Sequence, residues 1–393
     1  MTSRDQHRSW HHLLQHPGPF ATVSLDAGRA DESGAREVDL RWAEHERTLG
    51  RLGAPGAVLD LLRAAAASRS SASGEVGRLV VVGGAGPGEP EVLLDLVLPV
   101  RPVREEALWG PAPHLMPALR AAAGVTPYLL VRLDRAGADL ELHGDLGEEV
   151  RTEQVDGDHD VLHKVPGGGW SHLRMQHRVE DSWDHNAGEV AARVDRLAVA
   201  HRPAAVLVAG DDKATARFVA RLGAATAPLV TRLSSGGRAD GVDEAAMARE
   251  VAEVLDGVRR RRRADVIDRF AREEGRGEAA VTGVAAVADA LRKGQVDEIV
   301  LLDDPSSTST LWVGDAPTDV ATSREDLVAT GSARAEQTRA DAALVWAAVA
   351  SDAGVRLVED GEVALHEGIG AVLRWADLST PRDAVPSMPG HGR

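Results

Sequence analysis

Cysteine is absent from the 393-residue chain, which excludes disulfides, thiolate metal ligands and cysteine nucleophiles and suits a reducing compartment. Phenylalanine and tyrosine are scarce, at three and one, so any core is built mainly from aliphatic side chains. Long apolar runs are missing too. The stretch Val58 to Ala67 is broken by Asp60 and Arg63, far short of the roughly 18 uninterrupted apolar residues of a membrane span. Met1 to Trp10 is polar and mixed in charge, with no apolar segment of the kind a secretory signal carries. These absences give the expectation of a soluble, cytoplasmic protein with no membrane partner.

Positive charge is also short. Lys and Arg number 45 against 61 Asp and Glu, for a net charge of −16. Generic nucleic-acid binding rests on cations neutralising phosphates, so this balance confines any RNA contact to a few basic tips on an acidic body. Hydrophobic residues make up 43% of the chain, enough for real cores and unlike a disordered composition.

Patterning divides the chain into three α/β segments and a tail. Residues 1–124 open with a strand, Phe20 to Leu25, followed by helices over 36–49 and 57–67, a buried strand Arg78 to Val82 and an apolar run Val92 to Val100. Pro111, Pro113 and Pro117 suggest a connector before Gly124. Residues 125–262 begin with strands Tyr128 to Leu133 and Ala138 to Leu142. A polar loop rich in Gly and Asp leads to Gly167, Gly168 and Gly169, and a long helix runs from Ser171 towards Ala200. Strand Ala204 to Ala209, helix Lys213 to Leu222, strand Leu229 to Leu233 and helix Asp243 to Val258 complete that unit. Residues 263–378 carry helices over 285–292 and 333–350 and strands over 298–302, 356–359 and 371–374. The tail, 379–393, reads as disordered.

Several constellations invite chemistry and are better explained without it. Gly83 to Gly88 follows a strand, yet Pro87 and Pro90 remove amides that a dinucleotide loop needs, and the residues after it pattern as strand. Gly210-Asp211-Asp212-Lys213 fits a strand-to-helix turn with an acidic helix start. His159 and His163 stand four apart, but no further ligand occurs at a recognised spacing, and His11 and His12 are adjacent. No metal, cofactor or catalytic triad is expected. The run Arg259, Arg260, Arg261, Arg262 and Arg263 covers every face of a helix; it is either a solvated hinge or a contact to phosphate backbone.

The most informative stretch is Val165 to Arg174. Three glycines free the backbone, and a long helix starts directly behind them. In this frame, Gly168-Gly169-Trp170-Ser171-His172-Leu173-Arg174, the chain resembles the middle domain of archaeal and eukaryotic class I release factors and Pelota. Their signature is a Gly-Gly-Gln loop followed by Ser, a small residue, Leu, Arg and a long helix; Trp170 stands at the glutamine. Tyr128 to Asp134 with Asp139 to Gly144 resembles the paired strands before that loop. Ala205 to Gly210 with Lys213 to Val219 resembles the strand and helix after it. Gly294 to Asp304 and Gly368 to Trp375 resemble the C-terminal domain. The likeness spans about 125–377 and is nearest to the actinobacterial release-factor-like group related to the hibernation factor Balon.

The resemblance implies an α/β N-terminal domain, an RNase H-like middle domain and an L7Ae-like α/β C-terminal domain. It implies ribosome binding at the A site, contact with rRNA, and a translational GTPase partner such as elongation factor Tu. Gly167, Gly168, Gly169, Trp170, Ser171, His172, Arg174 and Arg178 would be the contacting residues. Stop-codon decoding is not expected, because the Asn-Ile-Lys-Ser loop and the Tyr-x-Cys element of true release factors are missing. Loss of the glutamine points to a non-catalytic factor of hibernation or stress. The alternative is a peptidyl-tRNA hydrolase or ribosome-rescue factor using His172 or Gln176. Trp170 packing on its own domain is the bland alternative to an RNA contact.

Overall fold

Residues 10–28, 32–67, 76–84, 89–134, 136–156, 171–238 and 243–377 are described in a computed structural model, with the backbone alone at 32–36, 67, 156 and 171–183. The expectations at Gly167 to Trp170, at His159 and His163, at residues 85–88 and on the tail 379–393 lie outside the described residues. The chain divides into two compact units. One is Val125–Arg262; the other joins Thr2–Gly124 with Arg263–Arg393.

In the first unit, strands β5 (Tyr128–Leu133), β6 (Gly137–His143), β7 (Glu149–Asp156), β8 (Ala205–Gly210) and β9 (Val230–Arg232) form one sheet in the order β7-β6-β5-β8-β9. The pairs β7/β6 and β6/β5 are antiparallel, whereas β5/β8 and β8/β9 are parallel. Three antiparallel strands followed by two parallel ones is the RNase H-like order. Side chains alternate across a strand, so Leu129, Val131 and Leu133 face one way with Val206 and Val208, and Leu130 faces the other with Leu207 and Ala209. Helices α4 (Ser171–His201) and α5 (Asp212–Val219) cover the first face through Val190, Ala191, Val194, Leu197, Ala214 and Phe218. Met247 and Val251 of α6 (Glu244–Arg276) cover the second. Strand β7 occupies what patterning reads as a polar loop. It is an edge strand of sequence Glu-Val-Arg-Thr-Glu-Gln-Val-Asp, and an edge strand half open to water needs no apolar alternation.

The helix expected over 243–258 runs to Arg276, and the arginine run lies in its interior. The boundary between the units falls inside this helix. It continues because 259–276 contains no Gly or Pro before Gly275 and supplies Val266, Ile267 and Phe270 to a core of the second unit.

The second unit opens with an antiparallel sheet in the order β3-β2-β1-β4, of β1 (Phe20–Asp26), β2 (Gly77–Gly83), β3 (Glu91–Leu98) and β4 (Glu106–Gly110). Helices α1 (Glu32–Arg51) and α2 (Gly56–Ala67) lay Val38, Trp42, Leu49, Val58, Leu62 and Ala65 on Ala21, Val23, Leu25, Val80 and Val82. The spacing of 38, 42, 49 and of 58, 62, 65 is the stripe of a helix that buries one face. His45 of α1 sits in that layer, and burial first of all pushes its pKa down.

Two expectations fail here. The proline-rich stretch holds a buried helix, α3 (Met116–Ala123), whose Pro117 sits in the first turn, where a missing amide costs nothing. The helix expected over 333–350 begins only at α9 (Ala340–Ala350); before it runs β14 (Glu336–Arg339), paired with β12 (Thr310–Val313). Nothing local marks a polar four-residue strand. It forms because β12, flanked on its other side by β13 (Val320–Ala321), offers it a partner.

The C-terminal part of this unit has a four-stranded sheet, β10 (Ala280–Thr282), β16 (Ile369–Leu373), β11 (Val296–Leu302) and β15 (Gly354–Val358), in that spatial order, with β11/β15 parallel. Helix α7 (Val284–Arg292) packs beside α9, and a short helix, α8 (Arg324–Ala329), precedes β14. Ala342 to Val349 are all buried, so α9 is apolar all round, as a fully enclosed helix must be. Gly370 has a packing role: a Cβ there would come within 2.5 Å of the Phe270 ring.

The two parts of this unit meet around a buried ionic group. Phe20 packs edge-on against Trp346 at 5.5 Å between ring centres, and Arg120 Nε donates to Asp303 Oδ1 at 2.7 Å. Between them, Arg339 donates to Glu106 Oε1 at 3.2 Å and to Asp341 at 2.7 and 3.0 Å. His114 lies between the same two carboxylates. Burial works against the charge on Asp341, but His114 and Arg339 outweigh it and hold its carboxyl far below the ordinary carboxylate range. Removing one member leaves buried charge uncompensated. Arg339→Met is therefore expected to cost about 3 kcal/mol in urea unfolding, at the low end of the buried-pair range because Arg339 keeps some solvent contact.

A second carboxylate is strongly perturbed in the middle unit. Glu250 of α6 accepts from the amides of Ser234 and Ser235 at 2.7 and 3.0 Å and from both hydroxyls. The Ser234 amide contributes most, and together these bonds bring the Glu250 pKa down to about 2. A depressed carboxylate stabilises the fold above its unfolded pKa and loses that contribution as pH falls. Wild type should therefore lose stability between about pH 4.5 and pH 2 more steeply than Glu250→Gln; parallel acid-unfolding curves would show these bonds to be energetically silent.

Candidate functional site

The sequence places the candidate site at the start of α4, and the structure describes its mount. Ser171, His172, Arg174 and Arg178 fall in the first turns of α4. From Asp184 onward this helix is tied down on both sides. Arg193 grips Glu153 of β7 through two parallel bonds, Nε to Oε2 at 2.6 Å and Nη2 to Oε1 at 2.5 Å. The Arg193 bond is the main cause of the lowered Glu153 pKa. Asp184 holds Arg217 and Arg221 at 3.2 and 2.9 Å, and Asp195 accepts from the Gly223 amide at 2.9 Å. Val190, Val194 and Leu197 supply the apolar anchor beneath these bonds. At 1.5 Å per residue, Ser171 stands about 20 Å of helix ahead of Asp184. Gly167, Gly168, Gly169 and Trp170 immediately precede that start in the sequence.

The arginine run is not a free cationic patch. Arg259 and Arg260 both reach Asp256 one turn earlier. Arg262 donates to Ala204 O at 3.3 Å, and Arg263 is held by Glu359 and Glu362. Arg261 is exposed, and among the described residues no ion pair engages it. Five arginines around a helix were bound to find different partners, since successive residues point about 100° apart.

The other constellations resolve locally. Asp211 caps α5, accepting from the amides of Lys213 and Ala214 at 2.9 and 3.1 Å, so those amides are already taken. Gly210 is required by packing, because a Cβ would lie 2.2 Å from Leu133 O. Gly84 closes β2 with its amide on Pro19 O at 2.6 Å. His12 bonds Leu93 O at 2.8 Å, while His11 lies 3.9 Å from Asp352. Among the described residues no group of His, Asp and Glu is arranged to hold a metal ion, and no helix is long and apolar enough to cross a membrane. Patterning missed the group of Glu106, His114, Arg339 and Asp341. Its one visible signal was His114 in the otherwise apolar stretch Pro111 to Leu119, and residues more than two hundred positions apart meet there.

Residues 127–276 match the profile of bacterial archaeo-eukaryotic release factor family 2. Two uncharacterized proteins of Mycobacterium tuberculosis, MT2704 of strain CDC 1551 / Oshkosh and Rv2629 of strain ATCC 25618 / H37Rv, are each 28% identical over 380 residues, covering 95% of this chain and 97% of theirs. Among solved structures, the archaeal translation termination factor aRF1 aligns at 16% identity over 95% of this chain and 99% of its own, with a TM-score of 0.23. Dom34 of S. cerevisiae aligns at 10% identity over 78% and 82%, with a TM-score of 0.35. A ribosome-bound archaeal Pelota with ABCE1 aligns at 11% over 95% and 94%, with a TM-score of 0.33. The segment that carries the sheet of β5 to β9 and the helices covering it is thus the part of the chain similar to bacterial archaeo-eukaryotic release factor family 2.

Proposed function

We propose that this protein is a non-catalytic ribosome-binding factor that occupies the A site in dormancy or stress. The observation that carries the proposal is the register at Gly168-Gly169-Trp170-Ser171: an indole stands where a release factor carries its glutamine, directly ahead of a helix anchored to the sheet. The glycines keep the backbone freedom that lets such a loop enter a narrow site. The side chain changes from a polar amide, with donors and an acceptor, to one N–H on a bulky apolar ring. A ring of that size does not hold a small water in place of the amide. It does stack on an unpaired base, which contributes about 1–3 kcal/mol per base. His172, Arg174 and Arg178 follow within two turns of α4 and supply cationic or hydrogen-bonding groups for rRNA phosphates.

In this reading the acidic body stays off the RNA and binding is confined to the tip, with Arg261 the member of the arginine run best placed to reach a phosphate as well. The partners are the ribosome and a translational GTPase, elongation factor Tu in the bacterial case, and the protein acts in the cytoplasm. Three segments, 1–124, 125–262 and 263–378, serve as its domains, the middle one presenting the tip.

Co-sedimentation with 70S ribosomes tests the proposal. Wild type should pellet with ribosomes, and Trp170→Ala should weaken binding about tenfold or more, the equivalent of losing one stacked base. Arg174→Gln with Arg178→Gln should lower the salt dependence of binding, by a slope of about 0.7 to 0.9 for each phosphate that is no longer neutralised. Protein that stays at the top of the gradient at low salt contradicts ribosome binding. Release of labelled peptide from stalled ribosomes, abolished by changing His172 or Gln176, would replace the non-catalytic reading with the hydrolase one.

A further inference from the structure

The C-terminal part of the second unit holds a groove of about 630 Å3 between the last turn of α6, the ends of β11 and β15, and the connection from β15 into β16. It lies wholly within residues 274–368 and so inside that unit. We propose that this groove is a docking site for a partner protein, and that the segment it takes presents Lys or Arg beside aliphatic side chains.

The floor is apolar. Leu302 closes β11, Val358 closes β15, and Val363 and Leu365 stand on the connection. Val363 and Leu365 pack inward against the core of Phe270, Val300, Val358 and Val372, yet both keep part of their surface open. The rim is acidic, with Glu274 from α6 and Glu359 and Asp360 from the connection. Among the described residues no Lys or Arg lines the groove. Arg263 reaches Glu359 at 3.4 Å, but that side chain is 78% exposed, where an ion pair has little strength and the carboxylate stays available. Glu362 is turned away to Arg263 and to the Glu359 amide.

Floor and rim together select the occupant. Phosphate-bearing partners, whether RNA or an anionic membrane surface, bind through cations, and the groove offers carboxylates instead. An uncharged apolar segment would cover the floor but would take water from Glu359 and Asp360 without supplying a cation, which is unfavourable. Lys and Arg satisfy both surfaces: their methylene stems lie along apolar side chains while the charged heads reach the rim. Aliphatic neighbours then cover what remains of the floor. The walls are set before any partner arrives. The His366 amide donates to Thr282 Oγ1 at 2.8 Å, and that hydroxyl donates to Ile369 O at 3.0 Å. Glu367, in the left-handed region at φ 55, accepts from the Val284 amide at 2.8 Å. A groove already in shape loses little freedom on binding.

The test uses the full chain and two fluorescein-labelled synthetic peptides, one alternating Lys with Leu and one alternating Glu with Leu. Fluorescence anisotropy should show saturable binding of the Lys–Leu peptide and far weaker binding of the Glu–Leu peptide, a comparison that needs only the wild-type protein. Hydrogen exchange should place the protection at 280–284 and 358–368. Glu359→Gln with Asp360→Asn should weaken the Lys–Leu peptide about fivefold, as expected for two solvent-exposed ion pairs. Glu44→Gln with Asp60→Asn removes the same charge from exposed positions on α1 and α2 and should leave binding unchanged. Equal binding of both peptides, protection confined to other regions, or an equal loss in the two double variants overturns the proposal. Absence of saturable binding at about millimolar peptide does so as well. A short RNA, or a second copy of this chain, that protects the same residues and is displaced by the Lys–Leu peptide would be the occupant instead and would also overturn it.

Discussion

A parallel pair of strands has to be covered on both faces, and the middle unit is organised around that requirement. Strands β5 and β8 run side by side and bury Leu129, Val131, Val206 and Val208 on one face and Leu130, Leu207 and Ala209 on the other. One helix cannot do both jobs. Helix α4 takes the first face with α5, α6 takes the second, and the loops between them fall at the strand ends. Helix α4 starts at Ser171, and from Asp184 onward its described side chains bond to α5 and β7. Arg193, Asp184 and three buried aliphatic residues hold the described later part of that helix.

Legibility in the sequence followed the strength of local patterning. Strands with continuous aliphatic cores, such as Arg78 to Val82 and Ala204 to Ala209, sit in β2 and β8 within a residue or so of their expected ends. Helices with a clear stripe, α1 and α2, were legible for the same reason. What was not legible depended on partners far along the chain. Strand β14 is four polar residues that become a strand only beside β12, and β7 is a polar edge strand defined by pairing with β6. The apolar Ala342 to Val349 and the residues before it looked like one helix because nothing in 333–339 announces a change of partner. Pro117 read as a break because a proline inside a loop and one in the first turn of a helix look alike in one dimension. The candidate site was legible only as a register, through Trp170 at a position otherwise occupied by glutamine. Its supports, Arg193 with Glu153 and Asp184 with Arg217, were not, because no spacing rule links a helix to an edge strand or to the next helix over.

Charge is the second organising constraint. A net charge of −16 leaves few cations to spare, and most of the basic cluster in α6 is engaged within the fold. Arg259 and Arg260 share Asp256, Arg262 meets a backbone carbonyl, and Arg263 braces the Glu359 to Glu362 turn. The same economy holds at the heart of the second unit, where Arg339 answers two buried acids and His114 completes the group.

Reconstruction by electron cryomicroscopy of ribosomes incubated with this protein tests docking most directly. Docking through the middle unit predicts density for the protein in the A site, with the start of α4 nearest the peptidyl-transferase centre and the Trp170 ring stacked on a base. Particles with an empty A site at saturating protein, or density in which the start of α4 faces solvent, would contradict it.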